Sequence, residues 1–238
     1  MNLLDYCVIA VLLVYILRGL YKGFIGMALG IGAFILSWLL ALLFMGVGAK
    51  AIKNSAHLYD MMLYYTEGSE YIVNNVGVES AHMNIDQLSG EELDERVSNA
   101  NVPYPMDKEI RANIAKEAFA KQNITTLGDY FNQTIVSVFI NILSFFLFFF
   151  LFRLILIFLI EGVDYAWQLP MLRRGDILLG GALGIIRGML TLFLLFMLMP
   201  VLLSVVGQFD LIVDMVENSF FAPFFYYSNF LLSMIPGV

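Results

Sequence analysis

Residues 135–160 read IVSVFINILSFFLFFFLFRLILIFLI, with Arg153 as the single charge. A helix needs about 17–25 mostly apolar residues to cross the roughly 30 Å hydrocarbon core of a bilayer, and this run supplies them. Read outward from here, the whole chain shares the bias. Sixty per cent of its 238 residues are hydrophobic and only 14% are charged, with mean hydropathy +0.81. Soluble domains hold about 45–50% apolar and about 25% charged residues, so the composition indicates a membrane-embedded chain. The net charge of −7 argues against a nucleic-acid partner, because phosphate recognition needs a basic face.

Three further apolar runs flank the first. Leu3 to Leu17 is interrupted only by Asp5. No Lys or Arg precedes it, while Arg18 and Lys22 follow, the reverse of a cleavable signal peptide; it reads as an uncleaved span. Phe24 to Val47 is free of charge and long enough to cross. The short link Arg18-Gly19-Leu20-Tyr21-Lys22-Gly23 makes these two runs a tight antiparallel hairpin. Ile177 to Val206 is a fourth span, interrupted by Arg187 and Pro200. The link before it carries Trp167, Pro170, Arg173 and Arg174, and a tryptophan at a span end suits the headgroup interface.

The expected fold is an all-α, polytopic helical bundle of about four transmembrane helices in two hairpins. A first hairpin occupies 1–49 and a second 134–207. Residues 50–133 form an acidic, helical, extracytoplasmic insertion, with thirteen acidic and seven basic side chains between Lys50 and Gln133. Two or three short helices are expected in it. Ser89-Gly90-Glu91-Glu92 has the capping-box pattern, and Ile110, Ile114, Ala118 and Phe119 recur at helical spacing from Asp107 onward. Residues 208–238 hold an aromatic segment flanked by Pro223 and Pro236, read as an interfacial or re-entrant helix, with a fifth span as the alternative.

Basic residues in the two short loops, Arg18 with Lys22 and Arg173 with Arg174, place those loops in the cytoplasm by the positive-inside rule. Both termini and the insertion then lie outside the cytoplasm.

No enzyme template is present: there is no GxSxG, HExxH or P-loop. No catalytic, cofactor-binding or metal-binding residue is expected. His57 and His82 sit in the polar section as surface residues, and Cys7 reads as a packed small hydrophobe. The candidate packing or pathway residues are Asp5, Arg18, Gly19, Gly23, Arg153, Asp176, Gly180, Gly184, Arg187 and Gly188. Gly180, Gly184 and Gly188 line one helix face, and Gly19, Gly23, Gly26 and Gly30 form a second stripe. Such faces let helix backbones approach closely, within a protomer or between copies. Gly26 to Ile31 also resembles Gly180 to Ile185, which hints at a repeat of two hairpins. Ionisable residues within spans usually pair, snorkel or mark a function. Snorkelling toward the cytoplasmic headgroups is the plain reading of Arg153 and Arg187, and an interfacial position that of Asp5.

These residues together resemble the CvpA (colicin V production protein) family. Leu4-Asp5-Tyr6, Arg18-Gly19 and Gly23-Phe24 look like its opening. Gly175-Asp176, Leu179-Gly180, Gly184 and Arg187-Gly188 resemble its second signature, and Pro223-Phe224 through Leu231 its closing aromatic segment. The insertion is longer than the linker of compact members. The resemblance implies a bacterial inner-membrane protein linked to colicin V production or export and to envelope homeostasis. Its expected partners are the lipid bilayer, envelope proteins of unidentified kind and further copies of itself through the glycine faces. It implies no reaction. A small channel or transporter with a pathway at the hairpin interface is the competing reading.

Overall fold

The computed structural model describes residues 1–167, 174–206 and 210–238, without the side chains of 161–167, 174–175, 206 and 210–212. The predicted loop carrying Trp167, Arg173 and Arg174 falls outside the described side chains. Every regular element named among the described residues is helical, as the apolar periodicity requires. The α-helices, in chain order, are α1 (Leu3–Lys53), α2 (Ala56–Thr66), α3 (Gly68–Asn75), α4 (Val78–His82), α5 (Gly90–Asn99), α6 (Met106–Ala115), α7 (Leu127–Trp167), α8 (Arg174–Phe196), α9 (Met199–Val206), α10 (Asp210–Glu217) and α11 (Ala222–Tyr227).

Three stretches are long and apolar enough to cross a membrane: Leu3–Lys53, Leu127–Ile160 and Asp176–Val205. The first is 51 residues, about 77 Å if straight, more than twice the hydrocarbon thickness. It is not straight. Gly23 breaks it with φ 71 and ψ −179, a backbone conformation in which a side chain is strained. Tyr15 and Phe34, on opposite sides of Gly23, both lie against Arg187, so the chain folds back at Gly23 as the short link predicts. The turn is tighter than the six-residue link expected, because helix runs on both sides up to that one glycine.

The chain divides into two compact units. The first comprises Met1–Met45, Phe145–Met197 and Val213–Asn229; the second comprises Gly46–Ser144, Leu198–Ile212 and Phe230–Val238. In the first unit, large apolar side chains point outward, among them Leu17, Leu43, Phe150, Phe158 and Leu178. Only 28% of the most apolar window of Leu127–Ile160 is buried within the protein, so most of that surface needs an apolar medium. Inside the unit, Phe34, Phe145, Phe146 and Phe149 pack in edge-to-face and stacked contacts. Cys7, expected to be packed, is exposed. In lipid an outward thiol carries little penalty, so apolar neighbours in sequence do not imply burial in protein.

The second unit contains the whole polar insertion. It holds five short helices, α2 to α6, more than the two or three expected. The capping box is present: Ser89 Oγ accepts from the Glu92 backbone N–H at 3.3 Å, and the Glu92 carboxylate accepts from the Ser89 N–H at 3.0 Å. In α6, Met106, Ile110 and Ile114 are buried, and Phe119 is buried just beyond its end. His57 and His82 are exposed, as expected. The first half of the 135–160 run belongs here. Ile135, Val136, Ile140 and Ile142 are fully covered by protein, and Ala49, Val136 and Ile140 form a core with Ile52, Tyr59, Met62 and Leu63 against it. Outward apolar exposure on α7 begins at Leu147.

Pro200 explains the break between α8 and α9. Proline has no N–H to donate and its ring clashes with the carbonyl four residues earlier, here Phe196, the last residue of α8. In the C-terminal aromatic segment, α10 and α11 have eight and six residues. Neither can span, which removes the fifth-span alternative for the described residues.

Candidate functional site: a glycine seam, two carboxylate caps and a buried cation pair

The seam, the two caps and the arginine pair all lie in the first unit. The glycines of α8 lie against the first half of α1. A Cβ built on Gly180 would sit on the Gly19 carbonyl oxygen and 2.8 Å from Gly23 Cα. One on Gly184 would meet the Tyr15 carbonyl oxygen and lie 3.0 Å from Ile16 Cα. One on Gly188 would lie 3.0 Å from Leu12 Cδ2. Partner numbers fall as the α8 numbers rise, so the two helices run antiparallel. Gly19 reciprocates, since its Cβ would lie 2.9 Å from the Gly180 carbonyl carbon. Backbone touches backbone along this seam, the contact that small residues at four-residue spacing permit.

The second expected stripe divides. Gly19 and Gly23 join the seam, but nothing lies within 4 Å of a Cβ on Gly30, and one on Gly26 would meet only Lys22 Cβ at 3.5 Å. The break at Gly23 resets the helix phase, so the stripe does not continue. The matching stretches Gly26 to Ile31 and Gly180 to Ile185 therefore have different packing roles.

Asp176, in the first turn of α8, reaches Gly23. Its Oδ1 accepts from the Phe24 backbone N–H at 2.9 Å. Phe24 starts the second half of α1, so a carboxylate from a distant helix caps it, satisfying one of the N–H groups that a helix start leaves free. A side chain at Gly23 would collide with this carboxylate.

Asp5 forms a second cap and is fully buried within the protein. Its Oδ1 accepts from Ser219 Oγ at 2.6 Å and from the backbone N–H groups of Phe220 and Phe221 at 2.9 and 3.1 Å. Ser219 Oγ in turn accepts from Ala222 N–H at 3.0 Å, at the start of α11. The aromatic segment is also held to α8: Phe225 stacks on Phe196 and meets Phe193 edge-to-face, and Asn229 Nδ2 donates to the Phe193 carbonyl at 2.7 Å.

Arg187 turns into the unit. It is 6% exposed, its Nη1 donates to the Gly30 carbonyl at 3.0 Å, and its guanidinium carbon lies 3.5 Å from the Phe34 ring centroid. Arg153 approaches the same ring at 6.0 Å. Arg18 is exposed. Among the described residues, none of these arginines has a carboxylate within ion-pair distance. No group of three or more potential metal ligands occurs among the described residues.

One polar stripe escaped the sequence reading. In the second unit Thr134, Ser137, Asn141 and Ser144 are buried on one face of α7, spaced three and four apart. Thr134 accepts from Asn113, Ser137 from Lys53, and Asn141 donates to the Pro236 carbonyl. The three-and-four spacing of these polar residues is present in the sequence.

No curated protein and no solved structure matches this chain. Residues 118–229 match the family model described as Colicin V production protein, a stretch that includes the Asp176 cap, the α8 half of the seam, both arginines and α11. Over that stretch the chain matches the family that its signatures resemble.

Proposed function

We propose that this protein is a non-enzymatic, multi-pass scaffold of the bacterial cytoplasmic membrane that supports production or export of a colicin V-type toxin and envelope homeostasis. The observation that carries the reading is the use made of the signature residues. Gly19, Gly180 and Gly184 are in backbone contact, and Asp176 and Asp5 each cap a chain segment distant in sequence. They hold helices together. With the two halves of α1 each taken as a crossing, the chain passes the bilayer four times, with both termini and the acidic insertion outside.

The test is complementation. A colicin V-producing strain lacking its own family member receives this chain, and toxin is assayed inside and outside the cells. Restored external toxin that Gly180→Leu abolishes supports the reading. Unchanged toxin in every arm contradicts it. Labelling single cysteines at exposed Ser89 and Ser233, after Cys7→Ser, tests orientation, since both should react from outside in intact cells.

The competing reading, a channel or small transporter, is favoured by Arg153 and Arg187, two cations in apolar surroundings. Solute flux in reconstituted liposomes, lost in Arg187→Ala, would establish it. Backbone contact at Gly19 and Gly180 leaves no width for a pathway along that seam.

A further inference from the structure

We infer that Arg153 and Arg187 form a binding site for an oxyanion of the phosphate class, a lipid headgroup or a free anion. This inference is independent of the scaffold reading. The two guanidinium groups converge on one aromatic ring, at 6.0 and 3.5 Å from the Phe34 centroid, with the Tyr15 ring 6.0 Å from Arg187. Arg187 lies eleven residues beyond Asp176, about 16 Å along the helix at 1.5 Å per residue, which is half of a roughly 30 Å hydrocarbon core. A charge at that depth is costly unless it is compensated.

The described residues compensate incompletely. Ring faces and the Gly30 carbonyl offer partial negative charge to Arg187. Arg153 Nη1 is buried with no hydrogen-bond acceptor. Buried donors of this kind are normally satisfied, and an orphaned one marks a missing partner. Arg153 is only half-buried as a residue, so the orphaned donor belongs to a side chain that an outside group can reach. Arg18, one helical turn from Tyr15, adds positive charge on the side of the pair nearer Gly23. Arginine forks suit an oxyanion with several acceptor oxygens, and such hydrogen bonds are the strong, charge-assisted kind.

The test measures thermal unfolding of the full-length protein in uncharged detergent free of phospholipid. Inorganic phosphate and phosphatidylglycerol are titrated separately into wild type, Arg153→Gln, Arg187→Lys and the surface control Lys108→Gln. The expected result is a rise in Tm for wild type and Lys108→Gln, with half-saturation about tenfold or more weaker in Arg153→Gln. Arg187→Lys keeps the charge and weakens the response without abolishing folding. A response to phosphatidylglycerol alone identifies a lipid headgroup, and one to inorganic phosphate alone a soluble anion. No response of wild type to either, or an undiminished response in Arg153→Gln, overturns the inference.

Discussion

Asp176 Oδ1 accepts a 2.9 Å hydrogen bond from the backbone nitrogen of Phe24, 152 positions away in the chain. The bond joins the two signature segments at the one residue, Gly23, where α1 folds back. A helix cap is usually local, from a residue just before the helix. Here Gly23 fills that position and has no side chain, and a different helix supplies the acceptor.

Asp176→Ala should therefore lower stability by about 1 kcal/mol, the usual worth of a helix cap. Asp176→Asn keeps an acceptor oxygen and should cost less. Gly23→Ala should cost more than either, because it combines strained φ with collision against the carboxylate. Thermal unfolding in detergent ranks the three, and an order with Gly23→Ala mildest would refute the cap.

Glycines of the seam and glycines beyond the break should behave oppositely. Gly180→Leu and Gly19→Leu force two backbones apart and should cost about 1–3 kcal/mol or more, seen as lower Tm and lower yield of folded protein. Gly30→Ala should be neutral or stabilising by up to about 1 kcal/mol, since open space receives the methyl and alanine favours helix. Equal loss at both positions would mean that the seam is misplaced.

Asp5→Ala should release the aromatic segment. It removes a buried acceptor of three hydrogen bonds and leaves the Phe220 and Phe221 N–H groups unpaired, a loss of about 2 kcal/mol or more. Limited proteolysis should then cut near residues 218–222 while the helices stay intact. Resistance equal to wild type would contradict the anchoring role.

The capping box of α5 carries a pH dependence. The Ser89 backbone N–H, with the Ser89 hydroxyl, holds the Glu92 carboxyl below its ordinary value of 4.5. A carboxyl whose pKa is lower in the folded state contributes stability in full above the unfolded value, and that contribution fades as pH falls through the folded value. Exchange of the Leu93 amide, corrected for its intrinsic rate, should show protection that drops below about pH 4.5 in wild type and a flatter profile in Glu92→Gln. Identical profiles would show that the box adds nothing in solution.

The parts of this fold legible in the sequence are those set by short-range pattern. The apolar runs, the Ser89 capping box and the α8 glycine face all follow from spacings of three or four residues, and so does the polar stripe on α7 that went unread. Asp5 and Arg187 were recognisable as unusual, but their roles depend on partners far along the chain: Ser219 for Asp5, Gly30 and Phe34 for Arg187. Hydropathy alone also could not divide the 135–160 run. Its first half is covered by protein and its second half exposes Leu147, Phe150, Leu151 and Leu154, and apolar side chains suit both settings.

The central claim is that the two hairpins meet within one chain along the glycine seam. Leu20 and Gly181 test it most directly, because a Cβ on Gly181 would lie 2.7 Å from Leu20 Cδ2. With Cys7→Ser, Leu20→Cys and Gly181→Cys, and a protease site placed in the insertion beside Ser89, the protein is oxidised in native membranes and then cleaved. The account predicts that the two fragments stay linked until a reductant is added. Fragments that separate without reductant, or full-length chains linked only to one another, would contradict it.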